Sequence, residues 1–185
     1  MRDRATGACT YELDAEFRIR AVDAAWSEFA LANGAPELVV PPGPLGHSVF
    51  GYLHDATTAH LYRRLFEGVG RTGRSVVFPF RCDSPGLRRF LEMEIGPQEP
   101  SGLHLQTRVV RLEARSPVAL LERAPRRSAQ LLRMCSWCKA VEVAGRWRDL
   151  EDAVVALRLF ESEALPGLTH GICARCQERM EGLLE

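Results

Sequence analysis

Lysine is almost missing from this chain. Lys139 is the single one among 24 basic side chains, so a phosphate-cradling loop of glycines and lysine has no residue to complete it. Other catalytic signatures are missing as well: there is no GxSxG elbow, no HExxH pair and no dinucleotide fingerprint. The expectation is therefore a protein that is not an enzyme. Net charge is lacking too, since 24 basic residues meet 24 acidic ones, 17 against 15 before residue 131 and 7 against 9 after it. Such a balance gives no pull toward nucleic acid or an anionic membrane surface. No apolar run approaches the length of a membrane span. The opening residues MRDRATGACTYELDAEF hold no apolar stretch of signal-peptide length, so the expected location is the cytoplasm, with thiols reduced rather than paired in disulfides.

What the chain does have is cysteine in a telling pattern. Cys135-Ser-Trp-Cys138 and Cys173-Ala-Arg-Cys176 each space two sulfurs so that a tight turn points both at one ion, and two such turns complete a tetrahedral zinc site. Four thiolates close the coordination shell and leave no position for water or substrate, which marks the site as structural. His170, in the run His-Gly-Ile-Cys, is a fifth candidate that either orients the second knuckle through a hydrogen bond or replaces a thiolate. A redox role would place one CxxC at a helix start after a buried strand, and that context is lacking. Cys9 and Cys82 stand outside the pairs and read as small packed side chains without a role.

The pattern divides near residues 114–130, where proline, serine and arginine surround a short apolar run, Val118 to Leu121. Ahead of this connector, residues 11–113 read as a mixed unit. Tyr11 to Ile19 alternates like a strand and Arg20 to Val22 begins a second. Asp23 caps a short helix with Trp26 and Phe29 on one side, stopped by Asn33-Gly34; Asp55 caps a longer helix with the stripe Tyr62, Leu65, Phe66, Val69. Three strands follow, over Ser75 to Cys82, Leu87 to Ile95 and Leu103 to Leu112. That order predicts an α+β fold with one antiparallel sheet and helices on one face.

In Tyr-Glu-Leu-Asp-Ala-Glu-Phe-Arg-Ile, in Asp-Ala-Ala-Trp-Ser-Glu-Phe-Ala-Leu-Ala-Asn-Gly and in Phe-Arg-Cys-Asp-Ser-Pro, the first 113 residues resemble a PAS domain, with Asp23 where many PAS domains carry asparagine. The tail, from Met-Cys-Ser-Trp-Cys-Lys through Gly-Arg-Trp to Thr-His-Gly-Ile-Cys-Ala-Arg-Cys, is similar to a cysteine-rich segment attached to bacterial sensor proteins. The two resemblances together imply a bacterial sensory or signalling protein whose PAS unit holds a small ligand or a protein partner.

Residues 131–185 also read as a module on their own. Cys135 and Cys138 make a knuckle, Val141 to Trp147 a hairpin, Leu150, Ala153, Val154, Leu157 and Phe160 a helical stripe, and Cys173 with Cys176 open a final helix. That is a treble-clef-like arrangement. Trp26 and Phe50 are candidates to line a PAS pocket or simply to fill the core. A haem would need an axial histidine, and His47, His54, His60 and His104 are present, but His60 shares the polar face of its helix and His47 and His54 fall in loops. The expected protein is a homodimer acting through a signalling partner. The alternative is a nucleic-acid-binding regulator that uses the zinc module.

Overall fold

An aspartate opens each of the first two helices, as the sequence predicts. Asp23 accepts the amide of Trp26 at 2.7 Å to start α1 (Ala24–Ala32), and its second oxygen accepts the amide of Thr10. Asp55 accepts both the amide and the hydroxyl of Thr58 at the start of α2 (Ala56–Thr72), which ends where Gly73 turns left-handed at φ 67°. The computed structural model describes residues 8–41, 43–53, 55–122 and 125–184.

Around these helices runs a five-stranded antiparallel sheet, β1 (Cys9–Leu13), β2 (Ile19–Val22), β3 (Val76–Arg81), β4 (Leu87–Pro97) and β5 (Leu103–Ala114), in the order β2-β1-β5-β4-β3. It is consistent with the PAS-like arrangement. The first strand is shorter than its alternation implies. Asp14 accepts the amides of Glu16 and Arg18 and Phe17 takes φ 59°, so a side-chain-stapled turn interrupts the run from Tyr11 to Ile19. Gly102 is required where β5 begins, since a Cβ there would meet the carbonyl oxygen of Leu13 at 2.3 Å. The α2 stripe, Leu61, Leu65, Phe66 and Val69, is buried with Phe78, Met93, Ile95, Leu103 and Leu105 of the sheet.

A second sheet of β6 (Arg127–Cys135), β7 (Val141–Val143), β8 (Arg146–Arg148) and β9 (Leu165–Gly171) runs in the order β8-β7-β6-β9. Its β6–β9 pair is parallel, which the sequence pattern did not announce. The hairpin turn is as expected, with Ala144 and Gly145 both at positive φ. Between the hairpin and β9 lies α3 (Leu150–Ala156). Its stripe breaks early, because Arg158 adopts φ 52° and shifts the phase by one residue: Leu159 is buried and Phe160 is 66% exposed. The apolar run Val118 to Leu121 is not a free connector segment. Val118 and Leu120 are buried with Met134, Val141, Leu150 and Ala153, because the chain turns back after β5 to cover the second sheet.

The two segments meet in a common core. Cys135, Trp137, Ile172, Cys173, Cys176 and Met180 belong to the same buried cluster as the α2 stripe and the first sheet. Trp137 stacks on Tyr62 with ring centroids 5.6 Å apart and planes 17° from parallel. Its carbonyl accepts the amide of Arg81 at 2.7 Å, and the hydroxyls of Thr58 and Ser136 are hydrogen-bonded at 3.0 Å, Thr58 Oγ1 accepting because its proton goes to Asp55. A charged network runs alongside. Asp83, with its side chain 1% exposed, lies between Arg81 and Arg115, and Arg115 reaches Glu151 at 2.8 Å. Arg88 joins at Glu151, and the Asp149 carboxylate turns to Arg81 rather than capping its own helix.

Two substitutions test whether this seam carries stability. Trp137→Ala should cost about 3–5 kcal/mol by emptying a packed site. Asp83→Asn should cost about 3 kcal/mol by leaving two buried guanidiniums short of a countercharge. Urea denaturation followed by circular dichroism and by tryptophan fluorescence should give one coincident transition; two separated transitions, with Trp137→Ala moving one alone, would show that residues 11–113 and 131–185 fold independently.

Candidate metal centre

Each cysteine pair is delivered by a different backbone device. Strand β6 ends on Cys135, where the Cys135 amide donates to Ala140 O at 2.7 Å and the Lys139 amide to Cys135 O at 3.1 Å, closing a turn with Lys139 at φ 62°. The Lys139 ammonium donates to Ser136 O at 2.8 Å inside that turn. Burial lowers its pKa. The second pair arrives through β9, whose parallel register sets Gly171 opposite Cys135 and lets the Ser136 amide donate to Gly171 O at 2.8 Å. Two residues later Cys173 caps α4 (Ala174–Glu181), with Cys176 in its first turn.

The result is a convergence of sulfurs. One Sγ from each of Cys135, Cys138, Cys173 and Cys176 lies within 4.8 Å of all the others. Cys138 Sγ and Cys173 Sγ are 3.7 Å apart, and a tetrahedron with metal–sulfur bonds of about 2.3 Å has edges of about 3.8 Å. The Cys173 amide points at Cys135 Sγ at 3.5 Å, and the α4 N-terminus adds its partial positive charge.

Charge chemistry favours a cation among these sulfurs. The neighbouring Cys138 and Cys176 sulfurs hold the Cys135 thiol far below its ordinary range, while the neighbouring Cys135 and Cys138 sulfurs, and then burial, push Cys176 far up. Burial first, then the nearby negative sulfurs, raises Cys173. Packed thiols cannot all ionise together, and a divalent cation removes that conflict. The donor set therefore fits a metal ion.

His170 sits on β9 opposite Met134, exposed, and is not in the group of converging ligand atoms. His47 and His60 are exposed, His104 is half-buried on β5, and His54 lies outside the described residues. Cys9 and Cys82 are half-buried and apart from the centre; burial, with Asp23 nearby, pushes the Cys9 thiol up to about 12. The pocket candidates Trp26 and Phe50 are engaged in packing. Trp26 meets Tyr11 edge-on at 5.1 Å, and Phe50 packs on Phe17 and Phe66 at 5.8 and 5.9 Å beneath the Arg63 guanidinium. A chain of ring contacts runs on from Phe66 through Tyr62 to Trp137.

Two clefts open at the seam instead, of about 790 and 240 Å³, and Trp137, Phe80 and Arg81 line both. Neither is lined by Trp26 or Phe50. The CxxC spacing announces the ligands but not Trp137 as the residue joining them to α2; its place between two ligands of one knuckle is the available signal.

No protein family matches the chain, and no curated protein does. Among solved structures, the Aer2 receptor from Vibrio cholerae, a dual PAS-heme oxygen sensor, is similar over 60% of this chain and 100% of its own, at 14% identity and a TM-score of 0.40.

Elemental analysis of protein purified without added metal should find close to one divalent ion per chain. Cys173→Ser should abolish that and lower the unfolding midpoint. Full retention of metal by this variant would break the four-sulfur assignment and bring His170 back as a ligand.

Proposed function

We propose that the chain is a bacterial sensory or signalling protein, not an enzyme, in which a PAS-like unit takes a small ligand or a protein partner and a structural zinc site supports the interaction module. Zinc suits the site because four thiolates satisfy it in tetrahedral geometry and leave no open position for chemistry. The observation that carries the reading is the placement of this centre. Its first knuckle bonds to the end of β3 through Arg81 and packs on α2 through Trp137, so the metal site and the PAS-like core are one mechanical unit. An event at either is transmitted to the other through packed contacts.

The protein acts in the cytoplasm as a homodimer, away from membranes; no helix among the described residues is long and apolar enough to cross one. Leu31, Val40, Leu45 and Tyr52, all in the segment from the end of α1 to the turn before α2, are 42–60% exposed and supply apolar surface for self-association.

Native mass spectrometry should give a dimer carrying two zinc ions. Fluorescence anisotropy with duplex DNA should show weak binding that collapses at physiological salt. Tight, salt-resistant DNA binding that disappears in Cys173→Ser would replace this reading with a nucleic-acid-binding regulator.

A further inference from the structure

The larger cleft is walled by two different chemistries. On the side of the first sheet stand Phe90 of β4 and Val110 of β5, the latter 61% exposed although apolar. The facing wall comes from the metal-bearing segment: Trp147 and Arg148 of β8, then Arg175 and Arg179 of α4.

The charges in the cleft do not cancel. Its carboxylates are already answered, Asp149 by Arg81 and Arg88, and Glu92 by Arg108. Arg148 and Arg179 have neither a carboxylate partner nor a hydrogen bond to sulfur among the described residues. Arg175, between Cys173 and Cys176 in sequence, lines the cleft together with Cys138. Arg175 and Arg179 are four residues apart on one helical face, a like-charge spacing that works against an isolated helix. Glu178 and Glu181 lie on the same helix and pair with neither. The wall therefore presents the Arg148 and Arg179 guanidiniums to the cavity, opposite Val110 and a Phe90 ring that Arg111 and Arg81 overlie, with no carboxylate among the described residues paired to either of them.

We infer that this cleft binds a small anion of the nucleoside monophosphate class, its planar base against Phe90, Val110 and Trp147 and its phosphate held by Arg148, Arg175 and Arg179. Guanidinium forks match phosphate oxygens in pairs, and a cleft of this volume is in the ordinary range for such ligands. The inference deepens the ligand-binding part of the proposed reading and moves the ligand from the PAS interior, which ring contacts fill, to the seam beside the metal.

Isothermal titration of the full zinc-loaded chain with AMP, GMP and inorganic phosphate at low ionic strength tests it. AMP or GMP should bind at least about tenfold more tightly than inorganic phosphate, and Arg148→Ala and Arg179→Ala should each weaken that binding about tenfold. Zinc content and unfolding midpoint should stay at the parent values. Arg148→Lys and Arg179→Lys keep the charge but lose the fork, and should fall between parent and alanine variants even if an alanine variant folds poorly. No binding of either nucleotide in the millimolar range would overturn the inference, as would affinity unchanged in all four variants. Affinity confined to single-stranded oligonucleotides would overturn it in favour of a strand-binding groove. None of these outcomes alters the dimer or zinc measurements, so failure here is separable from failure of the signalling reading.

Discussion

The seam between β3 and the first cysteine knuckle is the constraint on which the rest of this structure depends. β3 is the outermost strand of its sheet, and an outer strand presents unpaired backbone groups that must be covered or tolerated. At its last residue, Arg81, the amide finds the carbonyl of Trp137, a residue inside the knuckle. The indole of that residue then stacks on Tyr62 of α2. Three elements are locked by one residue: the sheet edge through its backbone, the helix through its ring, and the ligand turn through its position between Cys135 and Cys138. Metal binding in small structural sites contributes on the order of 10 kcal/mol to folding. A metal ion held by these four sulfurs would deliver that energy where α2 and the first sheet are already packed.

Alongside the apolar seam runs a polar one, and the two obey opposite rules. Burial of Asp83 between Arg81 and Arg115 is favourable only while all three charges are in place, whereas the ring stack tolerates local rearrangement. The network makes the relative placement of the two sheets specific. Arg115 follows β5 directly and reaches Glu151 in α3, so the chain segment that leaves the first sheet is itself the tie to the second. What reads in sequence as a proline- and arginine-rich connector is in part a set of anchors: Val118 and Leu120 are buried, and Arg127 donates to the carbonyls of Pro166 and Leu120.

Features with local causes were legible in the sequence. Asp23 and Asp55 cap their helices, the three strands after α2 lie close to their predicted bounds, and the CxxC spacing brings four sulfurs together. Features that depend on distant partners were not. The parallel pairing of β6 with β9 joins segments that have little alternation of their own, with Leu131 at 69% exposure in the first of them. A one-residue change of phase at Arg158 exchanged the fates of Leu159 and Phe160, and no helical periodicity forecasts where a helix will break at a left-handed non-glycine residue. Trp137 was visible as a letter between two ligands, but its partner Tyr62 lies 75 positions earlier, and nothing local connects them.

The parallel pairing also imposes an order on the making of the molecule. Ile172, Cys173, Cys176 and Met180 complete a cluster whose other members begin at Leu13, so during synthesis the α2 stripe and the inner face of the first sheet wait for nearly the whole chain before their last apolar neighbours emerge. Until then Tyr62 and Leu61 face water or whatever binds them temporarily. A nascent chain stalled before residue 172 would expose this unfinished surface, and would display two cysteines that hold a metal ion only half-coordinated.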